Sequence, residues 1–227
     1  MASLSTIQAP QKKEKMDKKT KVKRVPKRGH YDQETIFNIL DKAFLCHVGF
    51  IHEGYPVVIP TLYGRKDDIL FLHGSAASRM MKDLANGIDV SICVSLVNGL
   101  VLARSAFHHS MNYESVVLFG KAEMVEDPEA KMAGLKVVSD QVLKGRWEEV
   151  RLPNEKEMKA TTLLQIQIKE ASAKIRTGPP GDDKEDYELD IWAGVVPVKH
   201  KFLPAEVDPL LKAGINLPDS VKNLFNE

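Results

Sequence analysis

The chain has 227 residues, of which 43% are hydrophobic and 28% charged, enough for one well-filled core in a single domain with tails. No stretch approaches the roughly 18 uninterrupted apolar residues that span a bilayer, which excludes a transmembrane helix and predicts a protein without membrane contact. The net charge of +1 hides an asymmetry: Lys12 to Arg28 holds ten basic and two acidic residues, leaving about −7 for the rest.

Residues 1–29 therefore read as a disordered basic arm, too poor in apolar side chains to offset its own ordering entropy. Such a run serves nuclear import or nonspecific attraction to nucleic acid about as often as it is a plain solvated tail. The start of the chain lacks a secretory apolar segment, and Glu14 and Asp17 interrupt any organelle transit pattern. The expected location is cytoplasmic, with the nucleus as an additional compartment. Cys46 and Cys93 lie far apart inside apolar runs, as buried reduced thiols do.

Asp32 is placed to cap a helix carrying Ile36, Ile39, Leu40 and Ala43 at helical spacing, so the folded domain, residues 30–198, begins near His30. Strands follow over Phe44 to Phe50 and Pro56 to Tyr63, joined at Glu53-Gly54, with Pro56 and Pro60 limiting ladder donors. Gly64 to Asp68 predicts a turn, and Ile69 to His73 a short strand ending at Gly74. The next helix carries Met80, Met81, Leu84 and Ala85 and stops at Asn86-Gly87. Asn98-Gly99 between Val90 to Val97 and Leu100 to Ala106 predicts a hairpin. Val116 to Val125 is a strand, Asp127-Pro128 opens a helix with Leu135, Val138 and Val142, and Thr162 to Ile168 alternates again. Gly178 to Asp183 reads as an irregular loop and Trp192 to Val198 as sheet. Short strands and tight turns with few helices predict a mainly β protein, a closed antiparallel barrel rather than a doubly wound parallel sheet.

The strongest chemical pattern is His73-Gly74-Ser75-Ala76-Ala77-Ser78-Arg79 with Lys82, where a strand gives way to a helix. Unpaired N–H groups, two hydroxyls and two cations within a turn suit a phosphate; capping serine and solvated cations explain the same pattern about as well. Phe107-His108-His109-Ser110 reads as strand with its histidines on opposite faces and no Cys, Asp or Glu at ligand spacing, so no metal site is expected. Walker, G-x-G-x-x-G and G-x-S-x-G signatures are absent, and no catalytic acid, base or nucleophile stands out.

Several ordered blocks together resemble the flavin-nucleotide-binding branch of the pyridoxamine 5′-phosphate oxidase-like split barrels, a group that includes proteins linked to nitroimidazole resistance. They are Pro60 to Tyr63, His73 to Arg79, Leu100 to Tyr113, Arg176 to Pro180 and Trp192 to Pro197. The resemblance implies an antiparallel FMN-binding split β-barrel with a few helices. It also implies a homodimer with FMN at the interface and an oxidoreductase acting on a small substrate, nitro compounds among the candidates. By resemblance, Val58, Ile59, Pro60, Thr61 and Leu62 lie along the isoalloxazine ring, Leu72 and His73 flank the ribityl chain or phosphate, Ser78 and Arg79 hold the phosphate with Lys82 helping, Ser115 is a polar flavin contact, and Trp192 reaches the cofactor from the partner subunit or else is a core aromatic. Where this branch reads Asn-Tyr-Arg-Ser, the chain has Glu114. Alternatives on the same barrel are a noncatalytic flavin sensor and a haem- or deazaflavin-binding protein. Residues 199–227 form an extension outside the resemblance, with Leu210, Leu211, Ile215, Leu217 and Phe225 available to pack on the barrel or on a partner.

Overall fold

A computed structural model describes residues 19–225. In chain order its elements are β1 (Gly29–His30), α1 (Gln33–Asp41), β2 (Leu45–His52), β3 (Tyr55–Lys66), β4 (Ile69–Ser75), α2 (Arg79–Ala85), β5 (Asp89–Leu102), β6 (Ser110–Lys121), β7 (Glu123–Met124), α3 (Pro128–Val142), α4 (Glu155–Ala160), β8 (Thr161–Gln167), β9 (Glu170–Arg176), β10 (Gly194–Pro197) and α5 (Asp219–Lys222). The strands run β1-β9-β6-β5-β2-β3-β4-β8-β7, with β10 added on β5, and these neighbours all pair antiparallel. The expectation of a mainly β, antiparallel split barrel with few helices holds. The sheet does not close: its ends, β1 and β7, do not pair with each other.

Local chemistry explains the element boundaries. Asp32 Oδ1 accepts from the Thr35 N–H at 2.8 Å and starts α1, and Asp127 Oδ2 accepts from the Ala130 N–H at 2.8 Å ahead of Pro128 to start α3. Glu53 and Gly54, both at positive φ, make the β2–β3 turn. The segment just before β1, which falls within the arm expected to be disordered, makes contacts: the Val22 N–H donates to the Tyr31 hydroxyl, Pro26–Arg28 form a 3₁₀ turn, and Gly29 and His30 pair with Lys174 and Ala173. The first eighteen residues of the arm lie outside the described residues.

Two expected turns are strand instead. Gly64 lies inside β3, where a Cβ would sit 2.7 Å from the backbone of Val137 and Val138; the glycine lets α3 lie directly on the strand, and the chain reverses later, at Asp67-Asp68. Asn98-Gly99 is no hairpin either. β5 continues through it, with Asn98 as an extra residue between the pairs Val97↔Tyr113 and Gly99↔Asn112. β10 lies across this point, and a Cβ on Gly99 would meet Val195 Cγ1 at 3.0 Å and Val196 O at 3.1 Å. Ladders on both sides, the second supplied by residues almost a hundred positions later, outweigh the local turn preference.

The main core gathers Leu40, Val48, Tyr63, Leu72, Met81, Leu84, Ile92, Leu118 and Ile166. A second cluster of Phe71, Leu135, Val138 and Leu163 joins α3 to the other face of β4 and β8. Gln141 ties α3 down at its far end, donating to Leu40 O at 3.0 Å and Ala43 O at 2.6 Å while accepting from the Arg65 N–H at 3.2 Å.

Candidate functional site

β3 carries an asymmetry that matters for binding. Residues 55–62 pair with β2, and only 63–66 pair with β4; among the described residues no other strand pairs with the free edge of 55–62. The Tyr63 N–H donates to Phe44 O at 3.2 Å, so odd-numbered residues here point their backbone groups at β2 and even-numbered residues point away. Pro56 and Pro60, which have no N–H to give a ladder, fall on the even set. The free edge therefore presents the N–H and C=O of Val58, the carbonyl of Pro60 and the N–H of Leu62, whose own carbonyl turns to β4 and accepts from the Thr61 hydroxyl at 3.5 Å.

Side chains alternate with the same period. Ile59 packs against the main core, and Thr61 stands opposite the buried Cys46. Val58 is 66% exposed and Pro60 is exposed. The same outer face of the sheet bears Ser115, whose hydroxyl donates to Lys174 O at 3.3 Å. Trp192 is 67% exposed, so it is not a core aromatic within this chain.

Not all the residues expected at the site share one wall. Leu72 is fully buried in the main core, leaving its side chain unable to reach a ligand. Val58 borders a concavity of about 850 Å³ with Ile51, Ser91 and Phe119, whereas Leu62 and His73 border a separate groove of about 610 Å³ beneath α3. His73 stands on the Phe71 face of β4, opposite the side on which Gly74 meets Met81 of α2. Its Nδ1 is buried without a hydrogen-bond partner among the described residues, and burial pushes its pKa below the ordinary 6.5, keeping the ring uncharged at neutral pH.

At the start of α2, Ser78 occupies the N-cap position with its hydroxyl uncommitted to the helix, while Ser75 Oγ accepts from the Ala77 N–H at 3.2 Å. Arg79 and Lys82 project to solvent, and neither is in an ion pair among the described residues. Glu114 pairs instead with Lys42 at 2.8 Å, tying β6 to the end of α1 within one chain.

The fold adds groups that local sequence did not connect. Asp182, its side chain fully buried, accepts from the backbone N–H groups of Arg104 (2.9 Å) and Ser105 (3.3 Å) and pairs with the Arg104 guanidinium at 3.1 Å, which also stacks over Tyr187. Burial raises the pKa of Asp182, but those donors outweigh it and hold the carboxyl below the usual carboxylate range. Arg176 donates to Asn112 and to the Gly178 and Pro179 carbonyls, which explains the Arg-Thr-Gly-Pro-Pro block as a loop latch. His108 lies in a 3₁₀ turn rather than a strand, and Asp183 and Asp186, remote in sequence, approach it closely enough for all three to offer ligand atoms to one cation; His108 Nε2 and Asp183 Oδ2 are 3.2 Å apart. Local spacing gives no sign of this grouping, because Asp183 and Asp186 lie more than seventy residues from His108 in sequence. Cys46 is buried, with its thiol pushed up to about 12 by burial, and both cysteines are free.

A family model described as pyridoxamine 5′-phosphate oxidase matches residues 32–175. The flavocytochrome Anf3 from Azotobacter vinelandii is 42% identical with a TM-score of 0.87, the match covering 91% of this chain and 96% of that one. The FAD and heme binding protein from Mycobacterium smegmatis is 34% identical with a TM-score of 0.83, covering 87% and 97%. A putative 5-nitroimidazole antibiotic resistance protein from Bacteroides thetaiotaomicron is 26% identical with a TM-score of 0.54, covering 65% and 86%. No curated protein matches. The first two likenesses cover more of the chain than residues 30–198 alone supply, so they reach into the terminal segments. No helix among the described residues is long and apolar enough to cross a membrane.

Proposed function

The chain belongs to the pyridoxamine 5′-phosphate oxidase family, a flavin-binding family, and from that premise we propose that it is a flavin- and haem-binding redox protein. The observation that carries the flavin half is the free edge of β3. A strand whose 58 and 62 amides and 58 and 60 carbonyls have no partner strand offers the alternating donors and acceptors that the polar edge of an isoalloxazine needs. Ser78, Arg79 and Lys82 at the start of α2 supply hydroxyl and guanidinium contacts for the nucleotide phosphate. FMN is the nucleotide the sequence resemblance implies; the likeness to an FAD and heme binding protein favours FAD, which would place its phosphates on the same cations.

The haem half is supported by two relatives, one a flavocytochrome and one an FAD and heme binding protein, that match almost the whole chain. The residues present fit such a group: His73, whose Nδ1 is buried and unpartnered among the described residues, lines a mostly apolar groove that also carries Arg146 and Arg151. Bound flavin supplies hydride or electron transfer. The chain's own share is to bind and orient it, with Val58 and Pro60 shaping the surface over which a small acceptor approaches.

A homodimer belongs to the same reading. The outer sheet face around Val58 and Pro60 and the exposed Trp192 are left uncovered by the chain itself, and a second copy would cover both and complete each flavin site. The first test is the absorption spectrum of the purified full-length protein, followed by anaerobic addition of NAD(P)H and reoxidation with a nitroaromatic. Flavin and Soret bands, with flavin bleaching that the nitroaromatic reverses, support a redox enzyme. Bound flavin that no donor bleaches supports a sensor, and a folded protein that binds no flavin overturns the proposal.

A further inference from the structure

Resting on the flavin-and-haem reading, we infer that the groove beneath α3 is the haem site and that His73 supplies an axial imidazole ligand to the iron. The flavin then lies outside it, along the free edge of β3. The groove, about 610 Å³, falls within the 300–1,000 Å³ of cofactor pockets. Three features of its lining match the three parts of a haem. Leu135, Val138 and Trp147 give apolar surface for a macrocycle. Arg146 and Arg151, both partly exposed, give guanidinium partners for two carboxylates at the solvent side. His73 gives a neutral nitrogen ligand of the kind iron takes.

Of these residues, His73 is the one the fold does not otherwise explain. A histidine ring set against an apolar cluster with its Nδ1 buried and unpartnered costs stability unless something else uses the ring. Arg146 meets Glu149 at only 3.4 Å and Arg151 is held by Glu157 at 2.7 Å, both on the surface where such pairs contribute little, so propionates can replace either carboxylate at small cost. Coordination by an uncharged imidazole releases no proton and needs no redox step. The groove shares Leu62 with the free edge of β3, and the Leu62 N–H is assigned above to the flavin, so the two cofactors would be close enough for direct electron transfer.

The test compares full-length wild type, His73→Ala, His73→Gln and the control His200→Ala, an exposed position outside the sheet, each expressed with 5-aminolevulinate. Haem per protomer is read by pyridine haemochromogen assay, axial ligation by Soret position and electron paramagnetic resonance, flavin per protomer by fluorescence after release, and folding by circular dichroism. The expected result is that both His73 variants lose haem or shift to an altered Soret band while retaining flavin, that added imidazole restores the wild-type spectrum to His73→Ala, and that His200→Ala is unchanged. An unaltered Soret band in folded His73→Gln overturns the ligand assignment, as does loss of flavin in place of haem. A wild type that holds flavin but takes up no haem overturns this inference together with the haem half of the proposed function, and leaves the flavin half standing.

Discussion

The two halves of β3 meet the same sheet with opposite outcomes. From Tyr63 to Lys66 the strand is paired on its β4 side and roofed by α3, which Gly64 admits to within contact of the backbone. From Tyr55 to Leu62 it has one paired edge and a bare outer face on which Val58 is two-thirds exposed. A helix covers what the chain must stabilise alone; the uncovered half leaves backbone polar groups and apolar surface open to binding, as proposed above. Stability and binding are thereby assigned to different stretches of one strand, and substitutions in each should separate cleanly.

The largest separation is expected from Gly64→Val. Its Cβ meets main chain rather than a side chain that can swing away, so overpacking should cost about 3 kcal/mol, seen as a lower denaturation midpoint; an unchanged midpoint would mean α3 does not sit against β3. At the other half, Arg79→Ala should leave that midpoint within about 0.5 kcal/mol yet weaken flavin binding roughly ten- to hundredfold through loss of about 1.5 to 3 kcal/mol of charge-assisted contact. Fluorescence titration reads this, and equal affinity removes Arg79 from the site.

Tyr63→Phe probes the covered half more gently. The Tyr63 hydroxyl donates to Leu40 O, and Gln141 keeps that carbonyl satisfied after the change, so the loss should be about 1 kcal/mol, the low cost of a hydrogen bond whose acceptor is not orphaned. The smallest effect concerns α4 at the rim of the groove. Hydrogen bonds from Arg151 and then from the Asn154 N–H hold the Glu157 carboxyl down to about 2. Because its folded pKa lies below the ordinary 4.5, the contribution is complete above that value and fades as pH falls from 4.5 to about 2. Acid melting curves should show this slope, and Glu157→Gln should flatten it.

The capping residues Asp32 and Asp127, the Glu53-Gly54 turn and the Asn86-Gly87 stop were legible because each acts within four residues of itself. Gly64 and Asn98-Gly99 were not, since α3 and β10, which decide their conformation, come from sequence more than seventy and ninety residues away. For the candidate site, the residue types around Ser78 and Arg79 could be read from a strand-to-helix pattern, and the prolines of β3 hinted at an unpaired edge. Which side of β4 His73 faces could not be read, because that depends on register against β8 and on where α3 lands. The long-range pairs Arg104–Asp182 and Arg176–Asn112 left no local trace beyond a loop rich in glycine and proline.

The central claim is that a flavin nucleotide docks along the free edge of β3 with its phosphate at Ser78 and Arg79. It is tested most directly by heat release of the bound cofactor from full-length wild type and Arg79→Ala, with mass spectrometry of what is released. FMN or FAD near one per protomer in the wild type and strongly depleted in the variant is the predicted result. A correctly folded wild type that carries neither nucleotide and takes up neither from solution would contradict it.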